Sequence, residues 1–286
     1  MINDWLYHPT MATQRPQGIE YLQEWLRKIY LHLMFPKIVL VTGAPRSGTT
    51  FISDWITESP QAYCAHEILT EIENKTDTEI FQFLLKCAVT GDDRLSKVHE
   101  NDAMKWNKVP GKINLRLLGF KQPFAWFEGL DRLPYAVRRF PEKYNSLYLV
   151  TIRHPYDVVA SGKHRALHTK NWPNYTVKQH CLLWREATKL YHHYQAKRFK
   201  VMYIKWERLI LQFNTIKQEL ETFLQLDLPV FYGYEQTQEY FETLRGQVSL
   251  QAGVVLGKKR ELLTNEDRLT IQEMTADFCE EFDYRF

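Results

Sequence analysis

The sequence has too few cysteines, at the wrong spacing, to predict a disulfide framework or a zinc site. Its 286 residues include four cysteines, at positions Cys64, Cys87, Cys181 and Cys279. They form no C-x-x-C pair, and no histidine stands near them at zinc-ligand spacing. We therefore expect buried, reduced thiols, which are usual in a cytosolic protein.

A large excess of charge of one sign is also missing. Lys and Arg total 37 against 34 Asp and Glu, a formal net charge of +3. This is too near neutral to indicate nucleic-acid binding by bulk charge, although it leaves room for a local basic pocket. No apolar run is long enough to span a membrane, and the opening MINDWLYHPTMATQRPQ lacks the basic and apolar regions of a signal peptide. We expect a cytoplasmic protein without nucleic-acid or membrane partners.

Internal repeats, low-complexity tracts and Pro/Gly/Ser-rich linkers are absent as well, which favours a single domain over residues 1–286 with an N-terminal helical extension at 1–35. Apolar strand patterns alternate with helical ones, which predicts an α/β fold of the P-loop type, a central parallel sheet with helices on both faces. Ligands of such sheets bind beyond the carboxyl ends of the strands. The predicted strands are Lys37–Gly43, Gln61–Ala65, Leu115–Lys121, Ser146–Ile152 and Lys200–Ile204.

The stretch VLVTGAPRSGTT departs from the nucleotide-binding motif G-x-x-x-x-G-K-[ST] at one decisive position. Gly43 and Gly48 have the motif's spacing, but Thr49 replaces the lysine, and Arg46 lies inside the loop. A glycine-rich turn between a strand and a helix directs several backbone N–H groups into one concavity. The loop is therefore predicted to bind a phosphate without the lysine that bridges the β- and γ-phosphates of ATP.

A second anion-binding element follows about a hundred residues later, in RHPYDVVASG. Arg153 ends a predicted strand, and Ser161 lies eight residues on, two turns into the next helix. Together they are suited to hold a second phosphate, with the arginine giving directional hydrogen bonds. No aspartate stands at the end of this strand to hold Mg²⁺, so we expect a site without a metal.

The two elements resemble the signatures of the PAPS-dependent sulfotransferase family, where PAPS is 3′-phosphoadenosine-5′-phosphosulfate. PRSGTT is similar to the family's 5′-phosphosulfate loop, and IRHPYDVVASG to its 3′-phosphate motif. GKKRELLT matches a late family pattern except for Lys259 in place of tryptophan, and YIKWERL resembles another except at Trp206 and Arg208. The resemblance extends from about residue 38 to the end of the chain and is strong in the first two motifs.

This resemblance implies a donor site for PAPS, with PAP as the product. Arg46 would lie next to the bridging oxygen of the sulfuryl donor, where a cation stabilises the charge that develops on the leaving group. The remaining donor-binding residues implied are Ser47, Gly48, Thr49 and Thr50 for the 5′-phosphate, Phe51 for the adenine, Arg153 and Ser161 for the 3′-phosphate, Lys258, Lys259 and Arg260 closing over it, and Trp206.

The resemblance also implies catalytic residues. Lys121, in GFKQPF, matches a lysine near the transferred group, but Pro123 stands where some relatives carry a histidine base. Other branches use a glutamate after the first helix, which makes Glu67 the leading candidate for the general base. His66, one residue away, and His164 are the alternatives.

The predicted function is metal-independent, in-line transfer of a sulfuryl group from PAPS to a hydroxyl or amine of a small-molecule acceptor. Two alternatives stay open on the sequence alone. One is a small-molecule or nucleoside kinase that uses ATP and Mg²⁺ on the same topology, and the other is a non-catalytic phosphate-binding protein. Aromatic residues predicted to line an acceptor pocket are Trp126, Phe127 and Trp172. The oligomeric state is not indicated.

Overall fold

The computed structural model describes residues 36–91, 112, 114–125, 130, 133–144, 146–169, 172–229 and 259–286. Apart from Pro36, they all belong to one unit, Lys37–Phe286. The predicted helical extension at 1–35, and the positions of Trp126, Phe127 and Lys258, lie outside the described residues.

A five-stranded sheet with the order β2-β3-β1-β4-β5 forms the centre of this unit. Every neighbouring pair of strands is parallel. The α/β prediction is therefore confirmed, and each strand begins and ends within two residues of its predicted position. The strands are β1 Lys37–Gly43, β2 Ala62–His66, β3 Leu117–Lys121, β4 Leu147–Ile152 and β5 Val201–Lys205.

Helices connect the strands, and several begin at a threonine that caps the first turn. The side chains of Thr76, Thr176 and Thr264 each accept a hydrogen bond from the backbone three residues on. For the last helix the sequence left Thr264 and Asn265 open as caps, and the structure shows Thr264. In the described part of the chain the α-helices are α1 Thr49–Glu58, α2 Leu69–Ile72, α3 Asp77–Thr90, α4 Tyr135–Lys143, α5 Pro155–His168, α6 Val177–Ala196, α7 Trp206–Leu211, α8 Phe213–Leu224 and α9 Asn265–Glu281.

Both faces of the sheet are buried, because side chains alternate along each strand and helices cover both sides. On one face, Leu40 and Tyr148 belong to a core that includes residues of α3, α4 and α6. On the other, Val39 and Leu149 pack with residues of α1, α7 and α8. This arrangement gives the three layers expected from the sequence.

The carboxyl ends of the strands meet along one edge, where the candidate site lies. Lys121 at the end of β3 is in register with His66 of β2, and Gly43 of β1 is in register with Thr151 of β4. The loops that leave β1 and β4 therefore start side by side. None of the described helices has the length and apolar character needed to cross a membrane.

Candidate active site

The loop between β1 and α1 has a backbone that needs glycine at two positions. Gly43, Arg46 and Gly48 have φ angles of 147°, 75° and 102°. A Cβ atom on Gly43 would lie 2.4 Å from the carbonyl oxygen of Thr151, and one on Gly48 would lie 2.5 Å from Cε3 of Trp206. The glycines thus let β4 and the Trp206 ring approach the loop closely.

Ser47, predicted to bind a phosphate, has its hydroxyl inside the loop. Its Oγ donates to the carbonyl oxygen of Ala44 at 2.7 Å and lies 2.6 Å from Oγ1 of Thr151. Ser47 and Thr151 are both buried. The hydroxyl therefore supports the loop and ties it to β4. Thr151 was missed by the sequence analysis, although a polar residue near the end of a buried strand was a usable signal.

Arg46 brings the two predicted phosphate-binding motifs together. Its Nε donates to Oγ of Ser161 at 3.2 Å, across 115 residues of sequence. In turn, Nη1 of Arg153 donates to the backbone carbonyl of Arg46 at 3.3 Å. The first motif therefore contacts both predicted anion-binding residues of the second, the strand-end arginine and the helix serine.

Arg153 is held in place by groups that the sequence analysis did not identify. Nε1 of Trp184 donates to the carbonyl oxygen of Arg153 at 2.8 Å, and the next amide, that of His154, donates to Oε1 of Glu207 at 2.8 Å. The Arg153 guanidinium lies 5.8 Å from the Trp206 ring. Its Nε is buried and has no hydrogen-bond partner among the described residues.

His154 and Glu207 form a buried polar network beneath the site. Nδ1 of His154 accepts from the backbone N–H of Tyr156, and Nε2 lies 3.0 Å from the carbonyl oxygen of Arg285. Burial lowers the pKa of His154 to about 4, so the ring is neutral and Nε2 is the donor. Glu207 also accepts from the Tyr284 hydroxyl at 2.7 Å, and burial raises the pKa of this carboxyl group.

Lys259 and Arg260, adjacent in sequence, have different surroundings. Both Nε and Nη2 of Arg260 donate to the carboxylate of Asp157, at 2.8 and 3.0 Å. Nζ of Lys259 lies 3.2 Å from Nδ1 of His164. Burial, with the charges of Arg46 and other arginines nearby, lowers the pKa of Lys259. Of the two, Lys259 is therefore the cation near the loop, and Arg260 is engaged in an ion pair.

Aromatic side chains line the other side of the loop. The Phe51 and Trp206 rings meet edge to face, with centroids 5.7 Å apart. Trp206 lies against Gly48 and beside Arg153, while Thr49 is buried at the start of α1. The predicted donor-binding residues Phe51 and Trp206 thus form one apolar surface next to the loop between β1 and α1.

Lys121 and Glu67 form a contact at the ends of β3 and β2. Nζ of Lys121 is paired with Oε1 of Glu67 and donates to Oγ1 of Thr50 at 3.1 Å. The lysine side chain is 3% exposed and that of Glu67 41% exposed. The backbone N–H of Glu67 also donates to the Lys121 carbonyl at 2.8 Å. A buried ammonium group thus connects the loop to a carboxylate that solvent reaches.

His66 faces α1. Its Nε2 lies 2.5 Å from Oδ1 of Asp54 and 3.0 Å from Oγ of Ser53. Of these two candidate bases, Glu67 is paired with Lys121 and His66 with Asp54.

A group of positive charges surrounds the loop. Burial, together with the neighbouring charges of Arg165 and Arg153, lowers the pKa of the Arg46 guanidinium. Arg165 was missed by the sequence analysis, although it lies one helical turn beyond Ser161, a periodicity visible in the sequence. Among the residues that the structure describes, no cluster of three or more His, Cys, Asp or Glu side chains is arranged to hold a metal ion.

Comparison with known proteins identifies the family. Residues 36–229, more than half of the chain, match the model of the sulfotransferase family. The sequence matches no curated protein significantly. The sulfotransferase domain of the Synechococcus PCC 7002 olefin synthase has the same fold, with a TM-score of 0.50 and 15% identity over 88% of this chain and 96% of that one. The sulfotransferase domain from the curacin biosynthetic pathway gives a TM-score of 0.44 and 17% identity over 68% of this chain and 76% of that one. With the family model matched over that range, the chain belongs to the sulfotransferase family.

Proposed function

We propose that this sulfotransferase takes its sulfuryl group from PAPS, passes it to a hydroxyl or amine of a small-molecule acceptor in the cytoplasm, and releases PAP. The observation that carries the proposal is the contact of Arg46 with Ser161, together with that of Arg153 with the Arg46 backbone. These contacts bring the two motifs side by side, which supports a ligand with two phosphate groups.

The residues present fit such a donor. The start of α1 offers backbone N–H groups and a helix dipole to the 5′-phosphate. Arg153 has a buried Nε without a hydrogen-bond partner in the described part of the chain, and an anionic oxygen would satisfy it. Repulsion among neighbouring cations lowers the pKa of Arg46 and of Lys259 after the effect of burial. A polyanionic ligand would offset that repulsion.

Arg46 and Lys121 are the proposed stabilisers of the transition state. When bound, the donor supplies a sulfuryl group whose bridging oxygen keeps the bonding electrons and becomes negative as the group is transferred. Cations held in advance near that oxygen lower the barrier, because they need little reorganisation during the reaction. Lys121 meets this condition, since it is buried and hydrogen-bonded to Thr50.

Glu67 is the proposed general base, which takes the proton from the acceptor hydroxyl or amine. Its carboxylate is partly exposed and so reachable by an acceptor, while its backbone and side chain are both held by Lys121. A left-handed backbone with φ of 46° directs the residue away from the strand path. His66 is the weaker candidate, because its Nε2 is engaged by Asp54.

Two measurements test the proposal. PAP is expected to raise the melting temperature more than ATP with Mg²⁺, because a ligand that binds only the folded state stabilises it. The reverse order would contradict the donor assignment.

Glu67→Gln is expected to lower the turnover of PAPS with a responsive acceptor by about 10²–10⁴-fold and to leave PAP affinity unchanged. Glu186→Gln, which removes a carboxylate paired with Lys189 on α6, is the control. Retained turnover in Glu67→Gln would remove this residue from the mechanism.

A further inference from the structure

Arg165 lies on the same face of α5 as Ser161. Residues four apart on a helix are neighbours, separated by about 6 Å along the axis. Ser161 accepts a hydrogen bond from Arg46, so this face of α5 borders the phosphate loop. The side chain of Arg165 therefore extends the row that starts with Ser161.

Trp172, just beyond α5, connects Arg165 to Arg46. The guanidinium carbons of Arg46 and Arg165 lie 5.8 and 5.9 Å from the centre of the Trp172 ring. Cation–π contacts of this kind are attractive and position the guanidinium groups. Nε1 of Trp172 is buried, and no described residue accepts a hydrogen bond from it. The indole thus brings two cations together and offers a buried donor beside them.

The positive charges around Arg165 support an anionic ligand beside this face of α5. Arg46, Arg153, Arg165 and Lys259 are here called the cation cluster. Burial lowers the pKa of Arg46 and of Lys259, and the nearby charges of Arg153 and Arg165 lower both further. Gathering four like charges costs free energy unless an anion neutralises them.

We propose that Arg165, supported by Trp172, is an additional ligand of the 3′-phosphate of the donor, next to Ser161. The proposal rests on the proposed function. A phosphate monoester carries close to two negative charges and three acceptor oxygens, so it can bind Arg165 in addition to Arg153 and Lys259. The loop at the start of α1 serves the other phosphate, whereas Arg165 projects from the Ser161 face. Arg165 would thereby help the site select nucleotides with a 3′-phosphate over those without one.

The test compares two nucleotides that differ in the 3′-phosphate. Binding of PAP and of adenosine 5′-monophosphate is measured by calorimetry for the wild-type chain, Arg165→Gln and Arg139→Gln. Arg139 is an exposed residue of α4, so its variant removes the same charge elsewhere. Charge-assisted hydrogen bonds to an anion are strong, so Arg165→Gln is expected to weaken PAP binding about tenfold or more and to change adenosine 5′-monophosphate binding less than about twofold. Trp172→Phe, which keeps a ring and loses the N–H, is expected to weaken PAP binding by a smaller factor.

Each other outcome decides against the proposal in a distinct way. An equal loss for both nucleotides would place Arg165 at the 5′ end, and no loss for either would place it outside the donor site. If Arg165→Gln folds poorly, Arg165→Lys keeps the charge without the fork and is expected to lose part of the PAP affinity only; full PAP affinity in that variant would also overturn the role. A wild-type chain that binds neither nucleotide would defeat the proposed function itself.

Discussion

Replacing Asp157 with asparagine tests how the chain holds Lys259 and Arg260 near the loop between β1 and α1. Asp157 is 3% exposed, lies in the first turn of α5, and accepts two hydrogen bonds from Arg260. Arg260 adjoins Lys259, a member of the cation cluster. The pair therefore ties the short 3₁₀ turn Arg260–Leu262 to the helix that carries Ser161.

The magnitude follows from the burial of the pair. Removing one partner of a buried ion pair costs about 3–5 kcal/mol, because the other charge stays desolvated. The Arg260 side chain is 22% exposed, which favours the lower end, about 3 kcal/mol. In a protein of about this size, a loss of 1 kcal/mol in the free energy of unfolding lowers the melting temperature by about 2–4 °C. The Asp157→Asn variant is therefore expected to melt about 6–12 °C lower than the wild-type chain.

Calorimetric melting of Asp157→Asn, Arg260→Met and the double variant measures this coupling. The double variant is expected to be less destabilised than the two single changes together, by about 1–3 kcal/mol. PAP affinity is expected to fall in both single variants, because Lys259 loses its anchor. The Arg185–Asp277 pair has a similar two-bond geometry, but Asp277 is 58% exposed, so Asp277→Asn is the control and should cost at most about 1 kcal/mol. Additive effects, or an Asp157→Asn cost as small as that control, would refute the reasoning.

Two further predictions concern the loop and the buried histidine beside it. Gly48→Ala is expected to lower the free energy of unfolding by about 1–2 kcal/mol, because residue 48 has a left-handed backbone. The change should also weaken PAP binding, because the added Cβ would displace Trp206. Gly91→Ala, at another left-handed position, is the control and should leave the PAP affinity measured by calorimetry unchanged. For His154, burial lowers the folded-state pKa to about 4 from 6.5. As the pH falls, the unfolded chain therefore takes up this proton before the folded chain does. Stability is lost between about pH 6.5 and pH 4, by up to about 3 kcal/mol. Urea unfolding at pH 7.5 and 4.5 should show a smaller loss in His154→Gln than in the wild-type chain, and an equal loss would contradict this assignment.

The sequence by itself determined the strands and the two anion-binding motifs. Buried parallel strands are continuous aliphatic runs, so KIVLVTG and SLYLVTI predict their own structure. A strand followed by glycine, or by Arg-His-Pro, predicts a turn at the ligand-binding edge. These signals are local. They depend on the residue types within one segment, which is also why Thr264 could be named among the caps of the last helix.

Only the tertiary structure decided which partner each polar group uses. Ser47 turns into its own loop, Arg260 pairs with Asp157, and Arg46 reaches Ser161 across 115 residues. Trp184 and Glu207, which hold the Arg153 backbone, belong to other elements of the fold. Trp184 lies in no motif, and the pattern YIKWERL that contains Glu207 does not tell which group its carboxylate binds. A hydrogen bond or ion pair depends on distances of a few ångströms between distant segments, and the packing of helices on the sheet sets those distances. Sequence patterns locate the edge of the sheet, and packing selects the side chains that act there.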